Sequence, residues 1–176
     1  SCSVNTRLHQ LFNSLEAQRH QLLDSVKNTP DRFNTSPGNN KWSLHQILAH
    51  LVSAEKLSVQ YLRKKMQGID QAKDSGLIET LKMVVLKISQ RLPLKFNAPQ
   101  PVVAFTITYT SLDELIAEWN ASREALKNLL EEIRDDQTKR MIFKHPAVGK
   151  LNIIQALEFM KEHIAHHLPQ VKRLLK

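Results

Sequence analysis

The chain has a single cysteine, Cys2, close to its start, so no disulfide framework can form within it and a reducing compartment, the cytoplasm by default, is the expected setting. No apolar run approaches the roughly 20 residues needed to cross a bilayer, and the N-terminus lacks the apolar core of a secretory signal. Aromatic residues make up only 6% and do not gather around the short basic runs, RKK at 63–65 and KRLLK at 172–176. Lys plus Arg outnumber Asp plus Glu by 25 to 17, yet a scattered excess without stacking aromatics reads as a solvated surface, and no nucleic-acid partner is expected. Glycine is scarce, with 4 residues against 7 prolines, while 41% hydrophobic and 24% charged residues give an ordinary globular balance. A chain of 176 residues suits one domain over residues 1–176.

Apolar periodicity marks four long helices. Val4, Leu8, Leu11, Phe12, Leu15, Leu22, Leu23 and Val26 recur at spacings of three, four and seven, which predicts a helix over 4–27, and the turn formers of NTPDRFNTSPGNN then end it. Ser43 with Gln46 makes a capping box, Trp42 can staple onto Ile47, and a second helix runs over 43–67. Ser111 with Glu114 opens a third with Leu115, Trp119, Leu126 and Leu130 along one side; Asn152 is the N-cap of a last helix after a turn around Pro146 and Gly149. Between the second and third lie a further helical pattern, LIETLKMVVLKISQRL, and a β-prone run, VVAFTITY, read as an extended connector or short strand. Two long connections favour an all-α four-helix bundle with crossovers over an up-down meander.

The stretch EHIAHHLPQ at 162–170 places three histidines within five positions. Residues four apart on a helix are about 40° apart around its axis and about 6 Å along it, so His163 and His167 project from adjacent turns of one face. Two imidazoles can share a divalent ion but need a third ligand to hold it firmly, and His50, amid the apolar ILAHLVSAE, is the obvious one. Taken alone, His50 reads as a hydrogen-bonded core histidine and the pair as surface residues; their joint occurrence favours a metal site. His166 reads as a flanking residue, His9 and His20 as surface, His45 as solvent-facing in a first turn, and His145 as part of a turn.

These pieces, WSLHQILAHL, HPAVGKLNIIQAL and EHIAHHLPQ, in this order and separation, resemble the DinB/YfiT-like family of metal-dependent proteins. The resemblance implies a four-helix bundle with long crossovers and one divalent metal, zinc or nickel first, held by His50, His163 and His167. Some branches of that family transfer low-molecular-weight thiols such as bacillithiol, mycothiol or glutathione onto electrophiles. Gln170 matches the family's trailing glutamine, but Pro169 should break the bond to the Ala165 carbonyl, kinking or ending the helix and weakening any supporting role for Gln170.

Three neutral imidazoles leave open positions on an ion, the arrangement of a catalytic rather than a structural site. Such an ion eases deprotonation of a thiol or a water. Glu55 and Glu162 are the carboxylates nearest the ligands in sequence; both read as surface or supporting groups, so thiol transfer to a small electrophilic substrate is favoured over hydrolysis. The alternative from another class is a non-enzymatic bundle, a homodimer in one version, whose metal is structural or adventitious.

Overall fold

The structure, a computed structural model, describes residues 4–35, 38, 40–91 and 107–176. Five α-helices and one hairpin are found among them: α1 (Thr6–Lys27), α2 (Leu44–Met66), α3 (Leu77–Arg91), α4 (Leu112–Glu131), β1 (Met141–His145), β2 (Gly149–Asn152) and α5 (Ile153–Leu175). Most of the β-prone run lies outside the described residues, and its last residues, 107–109, form no strand. No described helix is long and apolar enough to cross a membrane.

The helix starts are fixed locally. Ser43 accepts from the Gln46 amide while the Gln46 side chain accepts from the Ser43 amide, and Asn152 and Gln155 repeat that exchange at α5. At α4 only half of the expected box forms: Ser111 accepts from the Glu114 amide, but the Glu114 carboxylate accepts from the Thr110 amide instead. Trp42 packs against the core and lies edge-on to His50 with ring centroids 5.3 Å apart.

Four helices make the bundle, in the cyclic order α1, α5, α2, α4. Arg7 meets Glu158 near the starts of α1 and α5, and Arg32, just past α1, reaches the Lys176 carbonyl, so these two helices run in parallel. Lys56 with Glu118 and Arg63 with Glu132 make α2 and α4 parallel, whereas Glu16 with Arg123 and Arg19 with Asn120 make α1 and α4 antiparallel. Parallel α2 and α4 cannot be joined by a tight turn, and residues 67–111 form the crossover. Its α3 lies outside the four, packed on α5 through Met83 and Leu86 and tied by Lys87 to Glu158 and by Arg91 to Glu162. One buried cluster runs through the bundle, with Leu8, Leu48, Trp119 and Leu157 fully enclosed.

The hairpin before α5 corrects the sequence reading of a simple turn. Phe143 pairs with Leu151 and His145 with Gly149; Gly149 sits at φ +83°, a conformation an L side chain adopts only with strain. His145 is therefore a buried strand residue, and its Nδ1 accepts from the Ala147 and Val148 amides to set the turn. His45 is likewise not solvent-facing. It stacks on Phe33 at 4.5 Å between ring centroids, and its Nε2 accepts from the Tyr109 amide. His9 and His20 are exposed, as expected.

Candidate metal centre

His50 stands in the second turn of α2, where the capped start and the buried Ile47, Leu48, Leu51 and Val52 aim it towards α5. On α5, Met160 and Ile164 seat the helix against the core, which turns His163 and His167 towards α2. The three rings form a near-equilateral set, with centroids 5.0 Å (His50 to His163), 5.1 Å (His50 to His167) and 5.0 Å (His163 to His167) apart. One ring nitrogen of each lies within 4.8 Å of the other two, and among the described residues no other cluster of three potential ligands comes this close.

The donor set fits a transition ion. His50 Nε2 and His163 Nε2 face each other at 3.1 Å. Zinc–imidazole bonds of about 2.0 to 2.1 Å in a tetrahedron put two ligand nitrogens about 3.3 Å apart, so this edge needs only a small adjustment. The third ring is oriented by Gln170: the amide Oε1 is an acceptor 2.8 Å from His167 Nδ1, so Nδ1 donates and the lone pair falls on Nε2. Helix α5 continues through Pro169 to Leu175, which keeps Gln170 three residues on from His167 and corrects the expectation that the proline would disturb it.

Burial keeps the rings neutral, as metal ligands must be. It pushes His50 down to about 4, with repulsion from His167 adding to the effect. His163 lies well below the ordinary imidazole value for the same reason, and His167 is lowered by burial, partly offset by its bond to Gln170. Phe159 stacks on His163 at 5.7 Å and 16°, and with Trp42 it supplies an apolar wall.

The remaining sequence candidates have other partners. His166 Nδ1 donates to the Gln90 carbonyl at 2.7 Å, which ties α5 to the end of α3. Glu55 is not a surface group: only 5% exposed, it accepts from Arg123 Nε and Nη2, both at 2.8 Å, and from Trp119 Nε1 at 3.1 Å. Glu162 is also buried and is held by Arg91 at 2.8 Å. The sequence reading missed the buried polar network of Glu16, Arg19, Glu55, Trp119 and Arg123. Its signal was present: Arg19 falls between Leu15 and Leu22, Glu55 between Leu51 and Val59, and Arg123 between Trp119 and Leu126, each at core-facing spacing.

The same bundle recurs in other proteins. A crystal structure of a conserved protein from Enterococcus faecalis superposes with a TM-score of 0.60, covering 95% of each chain at 15% identity. The uncharacterized protein YuaE of Bacillus subtilis (strain 168) is 22% identical over 164 residues, which span 93% of this chain and 94% of YuaE. The profile of the DinB superfamily matches residues 14–171, a span that contains most of the four bundle helices and each of the three converging histidines. The chain belongs to the DinB superfamily.

Proposed function

We propose that the chain binds one divalent transition ion, zinc or nickel, through His50, His163 and His167, and that it acts as a metal-dependent enzyme on a low-molecular-weight thiol and a small electrophile. The observation that carries this reading is the convergence of three neutral imidazoles from two helices, with no carboxylate or thiolate among the described residues completing the set. Such an ion, when bound, acts as a Lewis acid and lowers the pKa of a thiol or water at its open position. Gln170 holds the His167 proton on Nδ1 and so presents Nε2. Trp42 and Phe159 pack on the rings and limit water around them.

Hydrolysis commonly uses a carboxylate base beside the ion, and the two carboxylates nearest the histidines in sequence are committed elsewhere. Glu55 is engaged by Arg123 and Trp119, and Glu162 by Arg91. A thiolate is also intrinsically the stronger nucleophile, so transfer is favoured over hydrolysis. Residues 1–176 are read as one domain working in the cytoplasm. The test is turnover: the zinc-loaded and the nickel-loaded protein are each mixed with a panel of thiols and a chromogenic electrophile. Metal-dependent turnover that disappears in His50→Ala is expected. Tight metal binding with no turnover for any thiol would replace the enzyme with the non-enzymatic scaffold.

A further inference from the structure

We infer that the outer face of α3 is a homodimerisation surface, on which a second copy of this chain packs its own α3 antiparallel. Among the described residues eight large hydrophobic side chains are exposed, and six of them lie on this one helix: Leu77, Ile78, Leu81, Val84, Val85 and Ile88, with exposures from 48% to 88%. Single exposed leucines are ordinary on a surface, but six on a 15-residue helix are not. The opposite face of α3 is already used, through Met83 and Leu86 and the ties from Lys87, Gln90 and Arg91 to α5.

The spacing of the exposed set selects the occupant. Ile78, Leu81, Val85 and Ile88 follow intervals of three, four and three, the seam of a two-helix coiled coil, with Leu77 and Val84 widening it on one side. Antiparallel pairing makes this seam complementary to itself. Ile78 meets the partner's Ile88, Leu81 meets the partner's Val85, and a two-fold axis generates the reverse pairs. That direction also opposes the two helix dipoles, whereas a parallel pair would set like ends together. None of the six stripe residues is charged, so contact buries no unpaired ion. At their exposures the six leave on the order of 600 Å² of apolar surface per copy, close to the roughly 800 Å² per partner of a standard interface.

This inference is independent of the metal reading. Sedimentation equilibrium of the full chain over a concentration series tests it, with Leu81→Glu and Val85→Lys as variants and far-ultraviolet circular dichroism as the control for folding. The expected result is a wild-type species of about 40 kDa, twice the 20.2 kDa chain. Each variant should keep its helix content and weaken self-association by at least about 100-fold in Kd, the cost of placing a charge in a packed seam. If one variant fails to fold, the other is read. A wild-type chain that stays at 20.2 kDa throughout overturns the proposal. A dimer that survives both variants overturns it too, by moving the interface to another face.

Discussion

His167 divides its two ring nitrogens between Gln170 and the space shared with His50 and His163. A partner of this kind fixes tautomer and ring direction, and losing one typically costs 10- to 100-fold in metal affinity. Gln170→Ala should therefore weaken zinc binding by about 10- to 100-fold, while Gln170→Glu, which keeps an acceptor, restores most of it. Competition titration with a chromophoric chelator measures both, and an unchanged affinity in Gln170→Ala would remove Gln170 from the site. The pair His163 and His167 was legible because a four-residue interval on a helix is itself geometry, whereas His50 joined them through its apolar setting and the family resemblance. Gln170 was not: Pro169 argued for a break, yet a proline deletes one backbone hydrogen bond and the rest of α5 is held by packing, through Val171 and Leu174 among others. His45 was misread because its neighbours, Phe33 and Tyr109, come from a loop and from the far end of the crossover, and no local pattern announces such contacts.

At the scale of the element, each long helix was legible because its apolar stripe recurs over more than five turns and its N-cap is written in adjacent residues. The exceptions are informative. Arg19, Glu55 and Arg123 occupy core-facing positions of α1, α2 and α4; Arg19 pairs with Glu16 on its own helix, but Glu55 and Arg123 compensate each other only once α2 and α4 are assembled. Arg123 is 2% exposed and spans Glu55 and Glu16, so it ties three helices with one guanidinium. Arg123→Ala leaves Glu55 buried with only the Trp119 N–H, and such an uncompensated charge costs about 3–5 kcal/mol. Urea unfolding followed by circular dichroism should show that loss with an unchanged slope. A loss under about 1 kcal/mol would mean the network is solvated and not buried. The hairpin was the least legible element: strands of five and four residues carry too few alternations to stand out beside the turn formers Pro146 and Gly149.

At the scale of the whole molecule, the fold brings together histidines 113 positions apart in the chain by making α2 and α5 antiparallel neighbours. Parallel pairing of α1 with α5 and of α2 with α4 requires that arrangement, and the long crossover and the connection through the hairpin permit it. The crossover was legible as a length and the triad as a spacing, but their relation was not, because helix order in space is set by packing between stripes that look alike in sequence. The site is thus a property of the assembled bundle, with half of it useless without the other half. Bound metal per chain, by elemental mass spectrometry on zinc-loaded wild type, His50→Ala, His163→Ala and His167→Ala after exhaustive buffer exchange, tests this most directly. One ion per wild-type chain and substoichiometric metal in all three folded variants is the predicted result; one ion per chain in every variant would contradict it.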